Sequence, residues 1–174
     1  TNNVPVHKGD VFFIEAGTLH AIGKGILIAE IQQNSNTTYR IYDYGRVGAD
    51  GKPRQLDVDK AVDVTVLAPP KYPTKAVGNP LRVEGGVMTL LRECEYFTVH
   101  KLELDGTARL EADGSSFDSL LVLDGKAEIS AEGESVRAEK GDSIFIAAGT
   151  GKYTISGKGE IIITDIDDMD DIGD

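Results

Sequence analysis

The chain has 174 residues, of which 40% are hydrophobic and 27% charged. This composition is typical of a globular protein with room for one domain or two small ones. Its 18 basic and 29 acidic side chains give a net charge of −11. Such a charge repels nucleic acids and anionic lipid surfaces, so we expect neither as a partner.

The cysteine count and the apolar pattern bear on the compartment. Cys94 is the single cysteine and has no second cysteine to pair with. No apolar run reaches the roughly 20 residues of a membrane helix, and the polar start Thr1-Asn2-Asn3 is not a signal peptide. We therefore expect a soluble protein in a reducing, cytoplasmic location.

Short apolar runs, many of them alternating, lie between glycine, asparagine or aspartate along most of the chain. This pattern predicts a mostly β protein. The predicted strands, in chain order, are Val11–Ile14, Gly25–Gln32, Tyr39–Tyr42, Thr89–Glu93, Phe97–Leu104, Asp118–Leu123, Ala127–Ala131, Ser143–Ile146 and Glu160–Asp165. One short helix is predicted near residues 57–66, where Asp57 could cap it and Ala61, Val64 and Leu67 would share a face.

Four of the six prolines, Pro69, Pro70, Pro73 and Pro80, lie within twelve residues. Proline at that density neither continues a helix nor fits inside a sheet. We therefore predict a linker over residues 69–82, between segments 1–68 and 83–174. The last ten residues hold six aspartates, and they indicate a solvated, partly disordered tail because the spacing of a calcium loop is absent.

An internal repeat organises the chain. The segment Lys8–Thr18 (KGDVFFIEAGT) recurs as Lys140–Thr150 (KGDSIFIAAGT), at an offset of 132 residues. In each copy a Gly-Asp turn is followed by a strand and by an Ala-Gly-Thr turn, whose glycine suits positive φ. Two copies predict two related β domains.

The first copy resembles the second conserved motif of the cupin superfamily. That motif is a glycine, five residues, usually a proline, one residue, a glycine, two residues and a metal-binding histidine. Gly9, Gly17 and His20 match these positions, and Glu15 stands where proline is usual. The resemblance implies that the first copy can bind a metal ion.

In the second copy Gly141 and Gly149 match, but Lys152 stands at the histidine position. Residues 83–174 therefore resemble a complete jelly-roll cupin without a metal site. Only eight residues precede Gly9, so the first cupin is expected to be incomplete. The fold class expected is a tandem cupin, or jelly-roll β-sandwich, with residues 1–68 as the C-terminal part of the catalytic cupin.

Three stretches are similar to type I mannose-6-phosphate isomerases, especially the short bacterial form. They are Gly17–Gly23 (GTLHAIG), Glu30–Tyr44 (EIQQNSNTTYRIYDY) and Gly51–Arg54 (GKPR). The resemblance covers residues 4–68 closely and the second cupin more loosely. It implies interconversion of mannose 6-phosphate and fructose 6-phosphate with one bound zinc ion.

By that resemblance His20 is the last zinc ligand, and the other ligands belong to an upstream part. Glu30 and Arg40 match positions in the family's active-site pocket, and Arg40 is implicated in catalysis. Zinc can stabilise a developing enediolate as a Lewis acid. Arg40 can offer a cationic fork to the enediolate or to the phosphate, and Glu30 could move a proton. The sequence does not choose between these roles.

Structural interpretations stay open beside the functional ones. His20 could be a surface-turn histidine, and Glu30 a carboxylate at a strand end. Arg40 could pair with Asp43 or stack on a tyrosine. Lys52 and Arg54 are expected to be loop charges, with contact to the phosphate as the alternative. His7 and His100 are expected to be structural, and Cys94 a small buried side chain.

Two hypotheses of function follow. The first is a zinc-dependent aldose–ketose isomerase, acting on a sugar phosphate, whose activity belongs to the full-length parent. The second is a non-catalytic cupin module that binds a sugar or sugar phosphate. Because incomplete sheets expose their edges, we expect either self-association or packing of residues 4–68 onto the second cupin.

Overall fold

A computed structural model describes residues 2–166. The chain forms two compact units: the β unit, made of Thr1–Val11 and Thr74–Asp174, and the loop unit, Phe12–Pro73. Within the described residues there are one helix and seven strands, which confirms a mostly β protein with one short helix. The elements are α1 (Val58–Val64), β1 (Leu81–Val83), β2 (Gly86–Cys94), β3 (Phe97–Ala112), β4 (Asp118–Ala131), β5 (Glu134–Glu139), β6 (Ser143–Ile146) and β7 (Gly151–Asp165).

Several expectations from the sequence can be compared with the observed ends of the helix and strands. No helix among residues 2–166 is long and apolar enough to cross a membrane. Residues 65–80 contain neither helix nor strand, and β1 begins at Leu81. The assignment of residues 1–68, 69–82 and 83–174 to two cupins and a linker stays a prediction. The predicted acidic tail lies outside the described residues from position 167 onward.

All seven strands lie in the β unit and pair antiparallel in one sheet. Their order is β1-β2-β3-β7-β4-β5, and β6 also pairs with β4. The long strands β3, β7 and β4 are neighbours in the middle of the sheet. The chain leaves the β unit at Val11 and returns at Thr74, where the Val11 amide donates to the Thr74 carbonyl at 3.4 Å.

The sheet folds over on itself. Tyr153 pairs with Ala131 at one end of β4, thirteen residues from Asp118 at the other end. A straight strand would separate Asp118 from Ala131 by about 43 Å. However, the Tyr153 hydroxyl donates to Asp118 Oδ2 at 2.6 Å. The three long strands must therefore bend, which turns one sheet into two facing layers.

Glycines mark the bend. Gly106 pairs with Gly157 across β3 and β7, and Gly159 pairs with Gly125 across β7 and β4. A Cβ atom on Gly157 would lie 2.3 Å from the Lys126 carbonyl oxygen. The backbones therefore approach so closely at this line that a side chain does not fit.

The core fills the space between the two layers. Alternating residues on β3 point inward, among them Leu102, Leu104 and Ala108, which are 0%, 3% and 2% exposed. Period-two alternation is what buries one face of a strand. The largest fully buried side chains are Tyr153, Leu102, Leu120, Ile155 and Ile161.

The predicted strands of the β unit are confirmed, with corrected ends. Asp118–Leu123 and Ala127–Ala131 are parts of the single strand β4, β3 continues to Ala112, and β7 begins at Gly151. The predicted boundaries were wrong because glycines within the strands serve the bend and do not end the strands. Strands β1 and β5 were missed because all of their side chains except that of Ala138 are exposed, Val136 included at 45%.

The three strands predicted in residues 11–42, Val11–Ile14, Gly25–Gln32 and Tyr39–Tyr42, are wrong. In the described part of the loop unit, backbone pairing is confined to the isolated bridge between Val47 and Pro53. Alternation indicates which face a strand would bury, but a strand forms only where a second backbone completes its hydrogen bonds. Without that partner, Ile14, Ile28 and Ile41 stay 43%, 47% and 41% exposed.

The two copies of the repeat nevertheless have the same turns. In each copy the aspartate amide donates to the carbonyl three residues earlier, at 3.1 Å for Asp10 and 2.9 Å for Asp142. The aspartate carboxylate accepts from that residue's amide at 2.8 Å in both. The φ angles are +93° at Gly9, +96° at Gly141, +84° at Gly17 and +80° at Gly149. The local sequence thus dictates the turns, and pairing with β4 makes a strand of the second copy alone.

The helix is shorter than predicted. Asp57 occupies its N-cap position without a side-chain capping bond, and Ala61 is 2% exposed, as expected. Val64 and Leu67 are 50% and 92% exposed, so they do not share a buried face with Ala61. The helix ends at Val64 because Thr65 is extended, and the Thr65 hydroxyl donates to the Ala61 carbonyl at 2.6 Å.

Candidate functional site

His20 follows a tight turn in the loop unit. The Thr18 amide donates to the Glu15 carbonyl at 3.1 Å, and Gly17 has φ +84° with no room for a Cβ beside the Val64 carbonyl. His20 is exposed, and its Nδ1 lies 3.0 Å from the Thr18 carbonyl oxygen. Because a carbonyl only accepts, this hydrogen bond requires the proton on Nδ1 and leaves a lone pair on Nε2. That is the tautomer in which a histidine binds a metal through Nε2.

The remaining ligands of a metal site are not assembled around His20. Among residues 2–166, no three His, Cys, Asp or Glu side chains are grouped so that they could hold a metal ion. Catalytic zinc takes three protein ligands and structural zinc takes four. The side chains described here therefore do not fit a zinc ion by themselves.

Glu30 and Arg40 lie elsewhere in the same unit. Glu30 is exposed, whereas the Arg40 side chain is 28% exposed. The Arg40 carbonyl accepts from the Asp57 amide at 2.7 Å, next to the start of α1. No hydrogen bond or ion pair joins any two of His20, Glu30 and Arg40 in the described structure, and their roles stay predictions.

Asp43 is the centre of the best-defined polar cluster in the loop unit. Arg54 grips its carboxylate with two hydrogen bonds, from Nε to Oδ2 at 2.6 Å and from Nη2 to Oδ1. Arg40 Nε lies 4.0 Å from Oδ1. The hydrogen bond from Arg54 lowers the pKa of Asp43, and the charges of Arg54, Arg40 and Arg46 add to the effect against the opposing effect of burial. Asp43 is therefore a carboxylate between arginines.

The backbone at Asp43 forms a two-residue turn. Tyr44 and Gly45 have φ +54° and +68°, and the Arg46 amide donates to the Asp43 carbonyl at 2.9 Å. Positive φ at both central positions defines a type I′ turn. A tyrosine in this region costs about 1 kcal/mol or more, so surrounding contacts must hold it. The Tyr44 ring packs edge-on against Tyr42 at 4.9 Å, and Arg46 lies 5.4 Å from the Tyr44 ring centre.

The loop after this turn returns the chain to Asp43. The Val47–Pro53 bridge closes it, and the Gly48 amide donates to the Lys52 carbonyl at 2.8 Å. Arg54 thereby binds Asp43 rather than remaining a loop charge. Sequence analysis gave Asp43 only as an alternative partner of Arg40. The signal for the cluster is the pair of glycines, Gly45 and Gly51, which allow two tight turns between Asp43 and Arg54.

The folded-over antiparallel sheet of the β unit has the jelly-roll architecture of a cupin domain. Residues 87–166 match the family model "Mannose-6-phosphate isomerase, cupin domain". This range runs from β2 to the end of β7, so the match covers the core of the β unit.

Relatives extend the similarity to the loop unit. The chain is 40% identical over 162 residues to the mannose-6-phosphate isomerase ManA of Bacillus subtilis (strain 168), covering 92% of this chain and 50% of that protein. It is 35% identical over 159 residues to the mannose-6-phosphate isomerase of Streptococcus mutans (strain ATCC 700610 / UA159), covering 91% of this chain and 49% of the relative.

A crystal structure of the mannose 6-phosphate isomerase from Bacillus subtilis superimposes with a TM-score of 0.65 at 30% identity. The superposition covers 76% of this chain and 41% of that one. The chain spans about half the length of the curated relatives it matches. It fits the C-terminal cupin portion of a type I mannose-6-phosphate isomerase.

Proposed function

We propose that this chain is part of an enzyme that interconverts mannose 6-phosphate and fructose 6-phosphate. The observation that carries the proposal is the 40% identity to an isomerase over 92% of the chain. That similarity includes most of the loop unit, where His20, Glu30 and Arg40 lie. A non-catalytic sugar-binding module has no specific observation in its favour.

The proposed reaction moves one proton between neighbouring carbons. Removal of the C2 proton from the open-chain aldose gives an enediolate, and delivery of a proton to C1, with the hydroxyl proton passing from O2 to O1, gives the ketose. Arg40 would stabilise the negative oxygens of this intermediate or bind the phosphate. Glu30 would carry the proton.

The charge of the loop unit supports an anionic substrate. The loop unit contains seven acidic and seven basic side chains, so the net charge of −11 belongs to the rest of the chain. A locally neutral unit with Arg40, Arg46 and Arg54 close to one carboxylate is less repulsive to a sugar phosphate than the average surface of the protein.

Zinc is a separate part of the proposal. His20 would be one ligand through Nε2, and the other ligands would have to come from residues outside the described set. Cytoplasmic location and self-association are likewise proposals. Elemental analysis of the dialysed protein tests the metal directly, with about one zinc per chain expected for a complete site. His20→Ala should lower that content, whereas His7→Ala, whose side chain is 79% exposed, should not.

The activity is tested on the protein that contains this chain. Formation of fructose 6-phosphate from mannose 6-phosphate is coupled to NADPH production, and wild type is compared with Arg40→Ala. Loss of one group that stabilises a developing oxyanion costs about 100- to 1000-fold in kcat. Arg137→Ala is the matched control, since its side chain is 90% exposed and pairs with Glu128 at 3.4 Å. Wild-type protein without turnover would refute the proposed reaction, and unchanged turnover in Arg40→Ala would refute the role of Arg40.

A further inference from the structure

Asp43 is placed to control the position of Arg40. Asp43 is only 9% exposed, and its Oδ1 faces two guanidinium groups, that of Arg54 in a hydrogen bond and that of Arg40 with Nε at 4.0 Å. A carboxylate gripped by a bidentate arginine is fixed in both direction and rotation. Its charge therefore acts on Arg40 from a defined point.

Backbone hydrogen bonds also restrain Arg40 and Asp43. The Asp57 amide donates to the Arg40 carbonyl, so the base of the Arg40 side chain is tied to the start of α1. The type I′ turn at Tyr44 and Gly45 holds the Asp43 carbonyl in a hydrogen bond from the Arg46 amide at 2.9 Å, which restrains the backbone of Asp43. Arg40 is thus restrained at its main chain and, through Asp43, at its guanidinium end.

The restraint leaves Arg40 able to bind a ligand. At 4.0 Å its Nε is beyond hydrogen-bond distance of Asp43, and in the described structure the Arg40 guanidinium makes no hydrogen bond. Arg54 already occupies both oxygens of the carboxylate. The donors of Arg40 therefore remain available while Asp43 holds the group by charge.

We infer that Asp43, locked by Arg54, is a positioning residue that orients Arg40 for the isomerase reaction. The inference rests on the proposed function through the role assigned to Arg40. A displacement of about 1 Å in a catalytic group can cost 100-fold in rate. Loss of the Asp43 charge should therefore lower kcat by about 10- to 100-fold.

The first test measures Arg40 itself, without substrate. Nitrogen-15 relaxation at Arg40 Nε is compared between wild type and Asp43→Asn. The order parameter should fall into the flexible range, below about 0.6. Asp105→Asn is the matched control, because that carboxylate pairs with Lys158 at 3.2 Å and is 73% exposed. An order parameter in Asp43→Asn equal to that of wild type would overturn the inference.

The second test is a double-mutant cycle in kcat on the protein that contains this chain. If Asp43 acts through Arg40, Asp43→Asn added to Arg40→Ala should lower kcat by less than about twofold, because the coupling is lost. A purely structural role would give losses that multiply, together with a lower Tm, and would overturn the inference. Arg54→Lys keeps the charge but not the bidentate hydrogen bond to Asp43. It replaces Asp43→Asn in both tests if that variant fails to fold, and it should lower the Arg40 order parameter and kcat by less than is expected for Asp43→Asn.

The two proposals fail in distinguishable ways. Absence of turnover in wild type refutes the reaction, and unchanged kcat in Arg40→Ala refutes the catalytic role of Arg40. In both cases the order parameter still decides whether Asp43 positions Arg40. Normal losses in Arg40→Ala with independent losses in the cycle refute the inference about Asp43 alone.

Discussion

Tyr153→Phe tests the contact that joins the two layers of the β unit. The Tyr153 side chain is 1% exposed, and its hydroxyl donates to Asp118 Oδ2 at 2.6 Å. A hydrogen bond to a charged group contributes about 1.5–3 kcal/mol. We expect a loss of about 2 kcal/mol in the free energy of unfolding, or about 8 °C in Tm at roughly 4 °C per kcal/mol.

The same hydroxyl gives a pH dependence with a defined sign. Burial raises the pKa of Tyr153, and the hydrogen bond and charge of Asp118 raise it further. A tyrosine ionises near pH 10 in the unfolded chain but not in the folded one, so its contribution is complete below about pH 10 and is lost as the pH rises. Above that pH the free energy of unfolding should fall by up to about 1.4 kcal/mol per pH unit.

Urea unfolding followed by circular dichroism at pH 7, 9 and 10.5 measures both effects. Tyr153→Phe should be less stable at pH 7 and should lose the alkaline decrease that wild type shows. Tyr96→Phe is the control, because Tyr96 is 55% exposed and a surface substitution changes stability by about 0.5 kcal/mol or less. If the free energy of unfolding of Tyr153→Phe equals that of Tyr96→Phe at pH 7, the contact with Asp118 does not stabilise the bent sheet.

Two further predictions concern the β unit. Gly157→Ala places a Cβ 2.3 Å from the Lys126 carbonyl at φ +146°, so it should lower Tm far more than Gly114→Ala, where φ is not positive and a Cβ meets nothing within 4 Å; equal losses would mean that the bend tolerates a side chain. Burial lowers the pKa of His100, against the opposing charges of Glu93 and Asp118. Stability should therefore be lost as the pH falls below about 6.5. His100→Gln should flatten that dependence in urea titrations, and a slope unchanged from that of His7→Gln would contradict the assignment.

The extent to which sequence predicts this fold depends on how local each feature is. The turns of the repeat are set by residues within four positions of one another, and both copies adopt them although only one copy forms a strand. The strand at residues 143–146 depends on β4, more than twenty residues away. Gly25–Gln32 is an apolar run of the length of a buried strand, but an apolar run cannot report whether a partner backbone is present.

The candidate site follows the same rule. His20 was singled out by a motif whose residues lie close in sequence, and the positive φ that the motif predicts at Gly17 is present, while the role of His20 as a ligand stays a prediction. The Asp43–Arg54 pair could not, because it depends on two turns and a bridge that bring residues eleven positions apart together. Gly45 and Gly51 mark the two turns, but Tyr44 stands at a positive-φ position where Asn or Gly is usual, so the residues signal only half of the first turn.

The loop unit is an insertion in the sequence of the β unit, between the hydrogen-bonded residues Val11 and Thr74. Its 62 residues, Phe12–Pro73, leave and rejoin the β unit at neighbouring backbone positions. Closing such a loop becomes more costly by only about 0.6 kcal/mol for each doubling of its length. Insertions of very different length should therefore be tolerated at this point. A short glycine linker that joins Val11 to Thr74 should give the β unit as one continuous chain.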